Sequence, residues 1–525
     1  MGLRATVVGS RWMVTSSHPA ASYAGLKVFE KGGNVVDAAL AVSAVLCVVQ
    51  NNMCGLGGDL FCLLKLKGKV MGLNGSGRAA ELATVENYVK QGLKAIPSRG
   101  PLAAVTVPGL ADAWNELYTK YATMSIDVLL RDAVRLARKG FAIPRGYANS
   151  INAASEHLGQ YTNWRKIFLG ESTRVAPGHI LIQSDLANSL ELIASEGPRS
   201  LYEGELAKKI ASGAEKLGSP IRAEDLAKHR STWDEPLATE YRGVKVYETA
   251  PNSQGAAVLL WLNMLSELTL RGKPWDSAET TKLLYRTCAL AYRERARSIS
   301  DPTSFPLPSD FLSKAFARSL LTESRDGLQM SPSKPDLGDT TYFAVADSEG
   351  NCASVIQSNY MGFGSGIVPE GAGIVLHNRG CYFSLDPSHH NSLRPGKRTF
   401  HTLCASIGEK EGKTKFVLGS MGGDVQPQIH VQLITKLLDF NMDIQDAIDA
   451  PRWVALGTIY DSGQSLLIEK DLENLIPELR ATGLTFSPIP PRSSITGHAQ
   501  GIIFGEEGEL HAGADPRGDG AALGI

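Results

Sequence analysis

The spacing of hydrophobic and polar positions divides the chain into a helical opening, a long helical middle and a β-rich end. The most apolar run, Ala38–Val49, is flanked by Asp37 and Gln50. It is too short to span a bilayer and predicts a buried helix. Asn34 is placed to cap that helix at Val35. A preceding helix opens at Pro19 and stops at Gly32-Gly33, so the first third opens with helices. The glycine-rich loop Cys54-Gly55-Leu56-Gly57-Gly58-Asp59 leads to two short strands, Leu60–Leu66 and Val70–Leu73, joined by Lys67-Gly68-Lys69. Between about 108 and 320 the apolar positions recur at helical spacing over Ala111–Tyr121, Ile126–Lys139, Ser189–Glu196, Leu206–Leu217, Gln254–Leu270 and Glu279–Ser298, with one strand-like piece, Val244–Glu248.

The pattern then breaks. Residues 322–339 read TESRDGLQMSPSKPDLGD, polar, with two prolines and two glycines and neither period, and mark a linker. Beyond it, Thr341–Asp347 and Cys352–Ser358 form a hairpin about the turn 348–351. Further strands are expected at Gly373–Leu376, Lys415–Leu418, Ser465–Ile468, Gly501–Phe504 and Leu510–Ala514, and helices at Gln426–Leu438 and Ile444–Ala450. The expected class is α+β.

Composition narrows the partners. The formal net charge of -1, with no long run of one sign, gives no footprint for nucleic acid or an anionic membrane. Seven cysteines, an odd number without a C-x-x-C pair, fit reduced buried thiols. The opening MGLRATVVGSRWMVTSSHP has no apolar signal core. A cytoplasmic location is the expectation.

Three places could carry chemistry. Thr340 begins a strand directly after the linker. Cutting the Asp339–Thr340 bond would give Thr340 a free α-amine with a reference pKa of about 8, so one residue would supply both nucleophile and base for acyl transfer. The run Leu418-Gly419-Ser420-Met421-Gly422-Gly423-Asp424 lies between a strand and a helix, where adjacent glycines let N–H groups approach an oxyanion. In Asn74-Gly75-Ser76-Gly77-Arg78 the arginine could clamp a carboxylate. Each also fits a plain junction, a tight turn or a surface arginine, and spacing alone leaves both readings open. Gly362-Phe363-Gly364-Ser365-Gly366 sets its serine one place late for a nucleophile elbow. No phosphate loop or dinucleotide fingerprint occurs. His389-His390 and His401 lack a matching Cys or carboxylate pattern, which argues against a metal and for loop histidines. No cofactor is expected.

Taken in order, these stretches resemble the γ-glutamyltranspeptidase family of N-terminal-nucleophile hydrolases, over nearly the whole chain. The resemblance rests on Gly32–Ala39 (GGNVVDAA), Leu56-Gly57-Gly58-Asp59, Val107-Pro108-Gly109, Leu136–Phe141 (LARKGF), Asp339–Phe343 (DTTYF) and Asp515-Pro516-Arg517 with Gly520. It implies a four-layer αββα sandwich with additional helices. It implies autoproteolysis between Asp339 and Thr340, giving subunits 1–339 and 340–525 interleaved in one domain, with a small-molecule amide as substrate and possible higher oligomers. It assigns Thr340 as nucleophile, Gly422 and Gly423 as the oxyanion hole, Ser358 as a supporting hydroxyl and Arg78 as the carboxylate clamp.

At the positions where the family receives an α-ammonium stand Tyr360, Arg379 and Tyr382, and at its paired serines stand His401 and Thr402. A cationic Arg379 would repel an ammonium. The resemblance therefore leaves open a γ-glutamyl donor and an oxamate-, glutaryl- or succinyl-type amide. Asn378-Arg379-Gly380 and Pro395–Arg398 look like the oxamate amidohydrolase branch. An uncleaved, non-enzymatic binding homologue is the alternative of another class.

Overall fold

The computed structural model describes residues 4–322, 338–455, 465–480 and 485–525. Two seven-stranded antiparallel sheets form its centre. The first has the order Ala521–Gly524, Trp12–Ser16, Asp339–Asp347, Cys352–Tyr360, Asp59–Leu66, Lys69–Gly75, Thr232–Asp234. The second has the order Val7–Gly9, Leu510–Ala514, Ala499–Phe504, Lys413–Ser420, Ser406–Lys410, Val244–Glu248, Leu237–Tyr241.

The alternation along Thr341–Asp347 shows how the layers stack. Tyr342, Ala344 and Ala346 pack with Ile407, Val417, Ile502 and Ala512 of the other sheet, forming the seam between the sheets. Phe343 and Val345 point the other way, into a cluster with the helices Pro19–Glu30, Val35–Val49 and Ile126–Lys139. The second sheet likewise turns Val246, Phe416 and Leu418 to the helices Gly255–Ser266, Ala278–Ser298 and Gln426–Leu438. Side chains of a strand alternate between faces, so a strand buried on both sides must be apolar on both, as this one is. The result is the αββα order of layers.

Capping explains the first helix pair. Asn34 Oδ1 accepts from the N–H groups of Val36 and Asp37, and Asp37 Oδ2 accepts from Asn34 N–H at 2.9 Å. Every residue of Val35–Val49 is buried. Residues on both sides of position 339 contribute strands to both sheets. The strand starting at Asp339 lies between Trp12–Ser16 and Cys352–Tyr360.

The structure corrects several expectations. The chain opens with two strands, Val7–Gly9 and Trp12–Ser16, before its helices. Gly373–Leu376 is not a strand. It packs against the Gly57 loop, where a Cβ on Gly57 would stand 2.0 Å from Val375 O. The short strands Leu237–Tyr241 and Ser406–Lys410 and the helix Arg145–Leu158 were not expected. Of the expected linker, residues 323–337 lie outside the described part, and the strand expected at Thr341–Asp347 starts at Asp339. No described helix is long and apolar enough to cross a membrane.

Candidate active site

Thr340 is buried where the hairpin register slips between Asp339 and Thr341. Its Oγ1 donates to Ser358 Oγ at 3.0 Å. Ser358 Oγ donates in turn to the carbonyl oxygen of Asp339 at 2.7 Å and accepts from Tyr360 N–H at 2.7 Å. Two hydroxyls thus connect Thr340 to the carbonyl of the bond that precedes it. The Gly57-Gly58 loop backs this pair. A Cβ on Gly58 would stand 2.4 Å from Ser358 O, so only glycine allows the loop so close.

Upstream, Gly338 lies against Gly423 and the Tyr360 ring, each 3.2 Å from where its Cβ would be. Gly422 and Gly423 have φ of +137° and +57°, which a side chain would strain. Gln254, not singled out by its sequence context, fastens this turn. Its Nε2 donates to Gly423 O at 3.0 Å and to Thr402 O at 2.6 Å, and its Oε1 accepts from Arg295. Arg295 also pairs with Asp424 at 3.0 Å. The polar turn Pro251-Asn252-Ser253-Gln254-Gly255 ahead of a helix was the signal available in the sequence. On the other side, Met421 N–H donates to His498 O, and Asp515 Oδ2 accepts from Ala499 N–H. The Asp515-Pro516-Arg517 ending therefore braces the glycine turn through its neighbour strand.

Arg379 is 1% exposed. Its Nη1 donates to Thr402 Oγ1 at 2.9 Å, while Nε and Nη2 are buried without partners. Its guanidinium lies 4.3 Å from the Tyr360 ring centre and 5.6 Å from that of Tyr382. No carboxylate pairs with it among the described residues. Asp424, which accepts from the Tyr382 hydroxyl, is already engaged by Arg295. Burial pushes the Tyr360 and Tyr382 hydroxyls well above their usual range, so both rings are neutral. An unpaired buried cation costs several kcal/mol, of which ring contacts of about 1–2 kcal/mol return only part.

His401 has both nitrogens occupied. Nε2 is 3.0 Å from Asp59 Oδ2, and Nδ1 accepts from Leu403 N–H. Burial and the neighbouring Arg379 lower its pKa to about 3, so it is neutral and donates through Nε2. Burial alone would raise the Asp59 carboxyl, but His377 and His401 hold it well below the usual carboxylate range. His401 is thus a buried brace behind Thr402 rather than a loop residue. Arg78 is elsewhere: its Nη1 donates to Gly396 O at 3.1 Å and lies 3.7 Å from Asp301. None of its contacts reaches the Thr340 group. His389 and His390 do stack on an irregular segment. Among the described residues, one buried cluster, Glu248, Cys404 and His430, brings possible metal-ligand atoms within 4.8 Å of one another. His430 Nδ1 and Glu248 Oε1 there make a 2.9 Å contact.

Burial raises the Asp339 carboxyl to about 6, with Arg99 partly opposing the shift. A carboxyl raised on folding adds stability below its unfolded value near 4, and that stability is lost as pH climbs through about 6. In an uncut Thr340→Ala chain, thermal unfolding should therefore show a loss of about 1–2 kcal/mol between pH 4 and 6, discounted for the partial exposure of Asp339. Adding Asp339→Asn should flatten that slope.

The comparisons agree with this geometry. The family model for gamma-glutamyltranspeptidase matches residues 21–525. The glutathione hydrolase-like YwrD proenzyme of Bacillus subtilis is 38% identical over 99% of both chains. The oxamate amidohydrolase proenzyme of Klebsiella pneumoniae is 34% identical over 98% of this chain and 99% of its own. The crystal structure of cephalosporin acylase from Bacillus halodurans superposes with a TM-score of 0.93 at 33% identity, covering 100% of this chain and 98% of that one. The fold is that of an N-terminal-nucleophile hydrolase. The chain belongs to the gamma-glutamyltranspeptidase family and is an enzyme of that family. The alternative of a non-enzymatic binding homologue is thereby set aside.

Proposed function

We propose that this chain is a precursor that cuts itself between Asp339 and Thr340 and then works as an N-terminal-threonine amidohydrolase or acyltransferase. The observation that carries the reading is the Thr340–Ser358–Asp339 carbonyl chain of hydrogen bonds. In self-cleavage, Thr340 Oγ1 bonds to the Asp339 carbonyl carbon. Its proton passes to Ser358 as Ser358 gives its own to the carbonyl oxygen. Collapse breaks the C–N bond, returns a proton to the amine of Thr340 and leaves an ester. Water then cleaves that ester, releasing the Asp339 carboxylate. The products are residues 1–339 and 340–525, which the shared sheets hold together.

In the processed enzyme the α-amine of Thr340 takes the hydroxyl proton as Oγ1 attacks the substrate amide. The N–H groups of Gly422 and Gly423 receive the oxyanion. The amine leaves, and water or a second amine takes the acyl group from Thr340. Tyr360, Tyr382 and Thr402 frame the acyl half, with Arg379 as its anchor and His401 as the brace behind Thr402. Seven buried cysteines without disulfides support a reducing, cytoplasmic setting.

Within this reading, the state of Arg379 favours an acyl group that carries a carboxylate and no ammonium, such as an oxamate- or glutaryl-type amide, over a γ-glutamyl donor. Turnover of γ-glutamyl-anilide, glutaryl-anilide and oxamate by processed enzyme tests this. Exclusive, fast turnover of the γ-glutamyl compound would sink the preference. Ser358→Ala should slow the appearance of the two fragments on denaturing gels about 10²-fold, the usual contribution of a positioned proton carrier. Processing at the parental rate would remove Ser358 from the relay.

A further inference from the structure

The helix Gln426–Leu438, which follows the Gly422-Gly423 turn, contributes to a buried polar cluster that acyl transfer does not use. Its members are Glu248, Cys404 and His430, joined by Gln426. Their placement follows from strand and helix period. Glu248 lies two residues beyond Val246 on one strand, so its side chain also faces the helix layer. Ser406 is its register partner on the neighbouring strand, and Cys404 stands two residues before Ser406. Gln426 and His430 are one turn apart on the helix that packs there. His430 Nδ1 is 2.9 Å from Glu248 Oε1, and Cys404 Sγ is 3.6 Å from Gln426 Oε1.

The hydrogen bonds within the cluster do not satisfy it. Glu248 Oε2, His430 Nε2 and Gln426 Nε2 are buried without hydrogen-bond partners. All four residues are 0% exposed. Buried polar atoms are nearly always paired, so three orphans in one cluster point to a ligand held among them. The donor set says which kind. A carboxylate, a thiolate and an imidazole are the oxygen, sulfur and nitrogen ligands of zinc. Magnesium and calcium take oxygen ligands instead. Charge agrees: a thiolate and a carboxylate together balance a divalent ion, so the buried assembly is neutral. Distance agrees as well. Ligand atoms around a tetrahedral zinc stand about 3.3–3.8 Å apart, given bonds of about 2.0–2.3 Å. The candidate atoms here all lie within 4.8 Å of one another, a gap that side-chain rotation closes.

We propose that Glu248, Cys404 and His430 bind one divalent ion of the zinc class, with Gln426 Oε1 beside the fourth position. Binding releases the Cys404 thiol proton to solvent, and lone pairs of the thiolate, carboxylate and imidazole form three bonds to the ion. The ion ties together the strand Val244–Glu248, the segment that carries Thr402 and the helix that follows the glycine turn. Its role is structural, and the inference stands whether or not Thr340 carries an acyl group. Because the site is closed to solvent, the ion enters during folding and stays when the native protein meets a chelator.

The test uses the full chain made without a metal-binding tag, in zinc-supplied medium and in zinc-depleted, cobalt-supplied medium, then dialysed against EDTA. Elemental analysis should find about one zinc per chain. The cobalt form should absorb in the near ultraviolet, the signature of a sulfur-to-cobalt bond. Cys404→Ser should lose that absorption and lower zinc occupancy about tenfold or more. Glu248→Gln, which keeps the shape of the side chain, should also retain less zinc. Wild-type chain free of metal from both media would overturn the site. So would zinc retained at the wild-type level in both variants, or a cobalt form without the near-ultraviolet absorption. If Cys404→Ser does not fold, wild-type metal content, the cobalt absorption and Glu248→Gln decide the matter.

Discussion

Replacing Thr340 by alanine should leave a single 525-residue chain at every incubation time and reduce amide turnover by about 10⁴-fold or more, the scale on which loss of a nucleophile is measured. Both effects have one origin. In the uncut chain the Thr340 hydroxyl is the hydrogen-bond donor that feeds Ser358, and Ser358 is the donor to the Asp339 carbonyl. Alanine removes the attacking atom and the proton together. The mutant should nevertheless fold, because Thr340 is one buried residue in a strand whose core contacts come from Tyr342, Phe343, Ala344 and Val345. Thr340→Ser keeps the hydroxyl and should restore both processing and turnover in part. If the alanine chain still splits at 339–340, another residue cuts this bond.

The second large effect is expected at Arg379. Arg379→Gln should lower kcat/KM for carboxylate-bearing donors by about 10²-fold, since removing one partner of a buried charged contact costs about 3 kcal/mol. The loss should fall mainly on KM if the carboxylate is held equally in the ground and transition states. Processing of the chain should continue, because neither the Thr340–Ser358 pair nor the Asp339 carbonyl touches the guanidinium. The same variant should narrow the gap between glutaryl- and γ-glutamyl-anilide, because an amide accepts from an ammonium that a guanidinium repels. An unchanged ratio of the two anilides would show that Arg379 does not sense the charge of the acyl group. Kinetics on the two anilides, run side by side, measure the kcat/KM loss, its share in KM and the ratio, and a denaturing gel measures processing.

Much of this was legible in the sequence, for identifiable reasons. The helix Ile126–Lys139 and the strand Val244–Glu248 match their expected bounds, because local period and flanking glycine or turn residues set them without help from distant contacts. Gly57 and Gly58 could be picked out as a loop, but their necessity lies in the approach of Val375 O and Ser358 O from remote segments. Short strands such as Trp12–Ser16 and Ser406–Lys410 were missed because sheet partners, not their own pattern, make them strands. Gly373–Leu376 failed in the opposite direction: an apolar run that packs against a loop instead of pairing.

The site shows the same division. Asp339-Thr340 and Gly422-Gly423 stand at junctions that sequence can mark. Arg78 follows a glycine loop, and its clamp role comes from the resemblance; in the fold it donates to Gly396 O and lies 3.7 Å from Asp301. The distinguishing feature of Arg379, and the ground for the anion-binding role proposed for it, is two buried, unpartnered nitrogens. That property belongs to the packing of Tyr360, Tyr382 and Thr402 around it. Gln254 and Asp59 act through residues more than a hundred positions away, which no local spacing reports.

The central claim, that Thr340 becomes the amino-terminal residue and carries the acyl group, is tested most directly by mass spectrometry of the enzyme quenched during turnover of a donor. The account predicts two polypeptides, 1–339 and 340–525, with the mass of one acyl group on the peptide that begins at Thr340. A single uncut chain that still turns over substrate, or an acyl group carried on any other residue, would contradict it.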